Sequence, residues 1–360
     1  MKKSITVVLS LLVSIALVLS ACSSDSKSSS EKLLSSFEKS ADIKSYNLNG
    51  SLSIKDLKLS DALLQEEEAA SALAMLQNAE LSWTGAYRAD PMMMELTLKI
   101  SISGDLAISF QVPFIITQEK MWIKVPNIPM LSLPADIVGK YIEFDLKELA
   151  EQQGAELPAA LDVGKAMELA KELFGIVLKH VDEKTYLSSP SAKDAGIPDS
   201  ANVKDVVQLH IEKDQVEPFV QTLIEKIAPE MLDLLASNEE YRSLTQLTPE
   251  QIDEAKKQLS ELDETELKDG LAEFDKSVKT FDVVSNIGID KDGYASYSSS
   301  TIKFEAADGD QSGSGTLSLV SEQTDINGEP KFEIGGEPKA EEVIPLEELI
   351  SLFGFSMDAM

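Results

Sequence analysis

The chain has 360 residues, with 62 acidic against 32 basic side chains, two histidines and one cysteine, for a formal charge of -30. So acidic a body excludes nucleic acid and anionic headgroups as surfaces to lie on. One cysteine excludes a disulfide, a CxxC redox pair and a multi-cysteine zinc site.

The first element is an export leader. Lys2 and Lys3 precede an apolar run from Ile5 to Leu19, and Leu19-Ser20-Ala21-Cys22 matches a lipobox. A spanning helix needs ~20 apolar residues, whereas a charged start, a short apolar stretch and small residues at a cut describe a secretory signal. Residues 1–21 are therefore expected to be a lipoprotein signal peptide, with Cys22 acylated as the new N-terminus. Acylation consumes the thiol, so no free cysteine nucleophile remains. Two acyl chains anchor stably because each buried CH₂ contributes ~0.8 kcal/mol. Residues 22–30, SSDSKSSS after the cysteine, have nothing apolar to bury and read as a flexible tether. The expected location is the extracytoplasmic face of the cell membrane.

Glu31 to Ala41 reads as a short helix, with Leu33, Leu34 and Phe37 on one face. The period then changes to two. Tyr46 to Ile54 alternates, Asp61 to Asn78 reads as an inserted helix, and alternation resumes at Leu81, Trp83 and Tyr87. Leu96, Leu98, Ile100 and Ile102 share one parity, as do Leu106, Ile108, Phe110 and Val112, with Ser103-Gly104-Asp105 as a tight turn between them. Phe114 to Thr117, Met121 to Val125 and Tyr141 to Phe144 add strands. The middle is helical from Pro158 to Lys179, with a short strand at Thr185 to Leu187 and another at Val203 to Ile211. A long stripe follows through Val216, Phe219, Val220, Leu223, Ile227, Met231 and Leu234. Thr248-Pro249-Glu250-Gln251 is a capping box with proline at the first helical position, and Asp263 is a second cap. Phe281 to Ile289, Ile302 with Phe304, Leu317 with Leu319, and Phe332 with Ile334 return to strand. Leu346 to Phe353 is a short amphipathic tail.

Runs of strands followed by runs of helices indicate α+β. The strand Ser45-Tyr46-Asn47-Leu48-Asn49-Gly50-Ser51-Leu52-Ser53-Ile54, set behind a lipobox, a tether and a short helix, resembles the LolA/LppX-like lipoproteins. So does the later order of strand, paired helices and the hairpin Ile289-Asp290-Lys291-Asp292-Gly293-Tyr294. The resemblance implies a strongly curved antiparallel sheet, a half-barrel, with helices packed on its concave face. It also implies that lipid or acyl chains bind between sheet and helices. The body would span 31–335, in one piece or as two β-rich halves, with 336–360 as a tail.

Candidate chemistry is sparse. His180 and His210 lie in different elements without HxxxH or HExxH spacing, so no metal site is expected. Asp290-Lys291-Asp292-Gly293 and Asp308-Gly309-Asp310 fail the EF-hand frame and suit hairpin tips. Glu66-Glu67-Glu68, Glu341-Glu342 and Glu347-Glu348 read as solvated faces. GxSxG, P-loop and GxGxxG motifs are absent from the sequence, and no enzyme and no cofactor are expected. The residues expected to line an acyl cavity are Trp83, Met93, Leu98, Ile100, Phe110 and Trp122. The expected function is an anchored binding module for a lipid or other amphiphile. The alternative is a structural lipoprotein that meets an envelope protein partner and takes no small ligand; a carboxylate-based envelope hydrolase ranks behind both.

Overall fold

The computed structural model describes residues 28–60, 62, 73, 76–77, 79–103, 107–128, 133–148 and 163–345. Cys22, the leader, nearly all of the tether and of the Asp61 to Asn78 segment, the Gly104-Asp105 turn and the Leu346 to Phe353 tail lie outside the described residues.

Among the described residues, twelve strands form one sheet in the order β12-β6-β5-β4-β3-β2-β1-β11-β10-β9-β8-β7. Their ranges are β1 Ser45–Leu59, β2 Ala79–Ala89, β3 Met92–Ile102, β4 Ile108–Thr117, β5 Lys120–Lys124, β6 Tyr141–Asp145, β7 Leu187–Ser188, β8 Val203–Glu212, β9 Val278–Asp290, β10 Ala295–Asp308, β11 Gln311–Thr324 and β12 Val343–Pro345. This overturns the expected half-barrel. The order has two free ends, the sheet is neither closed nor strongly curled, and it is mixed, because β12 pairs with β6 in parallel. The helices are not arranged on a concave face. Period-two alternation reports which residues share a face; it carries no information on curvature, which bulges, twist and packing decide.

The chain divides into two compact units. The first takes residues up to Asp42, Leu52–Gln77 and Pro158–Glu322; the second takes Ile43–Ser51, Asn78–Leu157 and Gln323 onward.

The first unit is a sheet layer under helices. Val207, Leu209, Ile211, Val283, Ile287 and Ile289 point to one side of β8 and β9 and are each at most 3% exposed. Helix α1 (Ser29–Ser40) opens with a capping box between Ser28 and Glu31 and buries Leu33. It is fixed by Phe37 stacked on Phe174 at 5.5 Å and by Lys32 Nζ on Asp205 Oδ1 at 2.8 Å. Helix α2 (Val163–His180) supplies Phe174 and Val177 to the same core. The long predicted stripe forms: α3 (Val216–Thr222), a π-helical turn at Leu223–Ile227 and α4 (Ala228–Ser237) run on without a break. Val216, Phe219, Val220, Leu223 and Ile227 are buried, with Met231 and Leu234 packed beside them. The widened turn sits just before Pro229, which has no N–H to give to a regular helical ladder. Helix α5 (Glu239–Thr245) starts at an Asn238 cap, α6 (Pro249–Ser260) at the predicted Thr248 capping box, and α7 (Glu264–Ser277) at Asp263. One local expectation fails: Thr185 and Tyr186 belong to a single helical turn, Glu183–Tyr186, in which the Thr185 hydroxyl donates to Asp182.

The second unit is built on β2 to β6 in antiparallel register. Residues 329–336 do not extend the sheet as the Phe332 and Ile334 alternation suggested. Gly335 and Gly336 adopt φ of 97° and 84°, a left-handed region that strands do not use. The N–H groups of Ile334, Gly335 and Gly336 turn onto the Glu95 side chain instead.

Candidate functional site

The strands of the second unit have two faces of opposite chemistry, and the register fixes which residue belongs to which. Trp83 stands opposite Leu98, and Leu98 opposite Val112. Leu81 pairs with Ile100 and Ile100 with Phe110; Gly85 pairs with Leu96, Leu96 with Phe114 and Phe114 with Ile123. Met94, Ile116, Met121 and Phe144 form a further row. The face extends onto β1, where Trp83 lies over Gly50 and Tyr87 over Tyr46 with ring centroids 5.2 Å apart. A Cβ at Gly50 would fall 2.3 Å from the indole, so only glycine leaves room for that ring.

None of these rows contains a charged side chain. Yet none of Leu81, Trp83, Leu96, Leu98, Ile100, Phe110, Val112 and Phe114 is fully buried. The contrast with the first unit, where equivalent strand positions fall to a few per cent exposure, is the feature that stands out. At its β6 margin the face is covered: Ile142 packs with Val125, Leu133, Ile137 and Ile344.

Of the six residues expected to line a cavity, Trp83, Leu98, Ile100 and Phe110 lie together on this apolar face. Met93 and Trp122 lie on the other. Met93 pairs with Arg88 and Thr117, while Met92 and Met94 have the parity of Leu98. Trp122 is buried against Ile115 and Tyr141, and its Nε1 donates to Glu143 Oε2 at 2.8 Å. The Lys120 ammonium hydrogen-bonded to Glu143, aided by that indole, holds the Glu143 carboxyl below the usual range.

The opposite face carries a side chain that sequence patterning did not single out. Glu95 is 2% exposed, on β3 between Met94 and Leu96. Its Oε2 accepts the N–H of Ile334 at 2.7 Å, and its Oε1 accepts those of Gly335 at 3.0 Å and Gly336 at 2.7 Å. Asn47 Oδ1 accepts the Lys331 N–H at 2.7 Å, and the Arg88 guanidinium lies 5.3 Å from the Phe332 ring centroid. These contacts pin the 331–336 segment across the polar face. A lone acidic residue inside an apolar strand was the available signal, because a buried carboxylate needs donors from outside its own strand.

The histidines stay apart from any such site. His180 Nε2 lies 2.6 Å from Glu230 Oε2, and His210 Nε2 lies 2.7 Å from Asp282 Oδ1. Among the described residues no group of three or more His, Cys, Asp and Glu is placed to hold a metal ion. Asp290 uses one oxygen to accept the N–H groups of Asp292 and Tyr294, each at 2.9 Å, which makes it a turn residue. Among the described residues no helix is long and apolar enough to cross a membrane. No family model, no curated protein and no solved structure matches this chain.

Proposed function

We propose that this chain is a lipid-anchored extracytoplasmic protein whose second unit binds the acyl chains of an amphiphile along its apolar strand face. The observation that carries this is the partly exposed face of Trp83, Leu96, Leu98, Ile100, Phe110, Val112 and Phe114. Fully burying one such side chain contributes about 1.5–3 kcal/mol. Contiguous apolar surface of this kind marks an interaction site on a soluble body. The rows offer no charge and no side-chain hydrogen-bonding group apart from the Trp83 indole and the Tyr46 and Tyr87 hydroxyls. Hydrocarbon satisfies such a surface, whereas a hydrogen-bonded headgroup would have to sit at its margin. The lipobox at Cys22 would keep the unit beside a membrane, the source of that hydrocarbon.

The test is native mass spectrometry of the chain begun at Ser23, so that no acyl group is attached covalently. Co-purified lipid is expected, and Leu98→Asp with Phe110→Asp should remove it. A lipid-free chain that instead captures a defined envelope protein through the same face would favour the structural-lipoprotein alternative.

A further inference from the structure

We infer that the opposite, polar face of the same strands is a second ligand site, shaped for a short hydroxyl-rich saccharide. Two depressions lie along the pinned 331–336 segment and share Thr84, Thr97, Glu333 and Ile334 as walls, so they form one groove. One measures about 210 Å³ and reaches Asn49. The other, about 360 Å³, reaches Gln111 and Tyr141, and it falls within the ~300–1,000 Å³ of small-ligand sites.

The chemistry of the walls selects the class. Asn49, Thr84, Gln111 and Glu333 are exposed and Thr97 is partly so; all five converge on one groove with side chains that, among the described residues, bond no other protein group and are free to meet a solute. Two amides and two hydroxyls each donate and accept, and a carboxylate accepts. That mixture matches ligand hydroxyls, which also do both. It suits an anion poorly. The cations at hand have partners of their own: the largely exposed Lys331 has its Nζ 3.5 Å from Asp325, and Lys124 Nζ stands 5.0 Å from the Tyr141 ring centroid. Glu95 is spent on three backbone N–H groups and leaves negative charge in the wall. The floor is aliphatic, formed by Gly85, Ala86, Pro113 and Ile334. Aliphatic surface ringed by hydrogen-bonding groups, most of them uncharged, complements a pyranose, whose ring C–H groups and hydroxyls divide in the same way. This groove is separate from the apolar face and does not depend on what that face binds.

The experiment titrates the full chain with chitotetraose, with maltotetraose and with a Gly-Ser hexapeptide, read by calorimetry and by amide chemical shifts. At least one saccharide is expected to bind, with shifts at residues 84, 97, 111 and 333. Thr97→Val with Gln111→Ala should weaken it about tenfold, the loss of two net hydrogen bonds, with an unchanged far-ultraviolet circular dichroism spectrum. The inference is overturned if neither saccharide binds at millimolar concentration. It is also overturned if binding is indifferent to the double variant, or if the peptide alone occupies the groove.

Discussion

Replacing Glu95 by alanine should release the 331–336 segment from the second unit. The side chain is 2% exposed and holds three N–H donors at 2.7–3.0 Å. Hydrogen bonds to a charged group contribute about 1.5–3 kcal/mol each. They do not simply add here, because Gly335 is exposed and its N–H regains water once freed. A loss of about 3–5 kcal/mol follows, the range found when one partner of a buried charged contact is removed. Glutamine separates charge from shape. Its amide oxygen can keep Gly335 and Gly336, but its NH₂ then meets the Ile334 N–H donor to donor. That variant should lose about 1.5–3 kcal/mol. Urea denaturation measures the totals, and hydrogen exchange at residues 334–336 reports the segment itself. An alanine variant with a wild-type midpoint and wild-type protection at those three amides would refute the clasp.

Burial, and then the hydrogen bond to Glu172, raise the Tyr241 hydroxyl from 10.0 to about 12. The folded state therefore keeps its proton longer than the unfolded chain. This stabilisation is complete below pH 10 and disappears as the pH rises from 10 towards 12, for a loss on the order of 2–3 kcal/mol. Alkaline melting curves should show it, and Tyr241→Phe should flatten it. Ile287→Ala, in the helix-covered face of the first unit, should cost about 2–5 kcal/mol, whereas Leu98→Ala on the open face should cost less than about 1.5 kcal/mol. Equal losses in chemical denaturation would mean that the Leu98 face is covered. Cys22→Ser should shift the protein from the particulate to the soluble fraction of expressing cells; sedimentation as before would remove the lipid anchor from the account.

Local order was legible where one physical rule dominates. Helix starts followed side-chain caps at Thr248 and Asp263, whereas the cap at Ser28 carries Ser29 and Ser30, expected in the tether, into α1. Strands β2 to β4 followed alternation, and that alternation already separated Met93 from Leu98 by parity. Hydrophobicity alone groups Met93 and Trp122 with the even rows of β3 and β4, but the register puts both on the opposite face. The parallel pairing of β12 left no trace in sequence, because three residues are too few for a pattern.

The amino-acid order by itself settled which residues share a strand face, since successive side chains alternate by covalent geometry alone. Whether a face is covered or open is a relation between segments distant in the chain. So only the folded molecule decided that Val207 and Ile287 lie under helices while Leu98 and Phe110 stay partly exposed. It likewise decided that Glu95 meets three N–H groups more than two hundred residues further along.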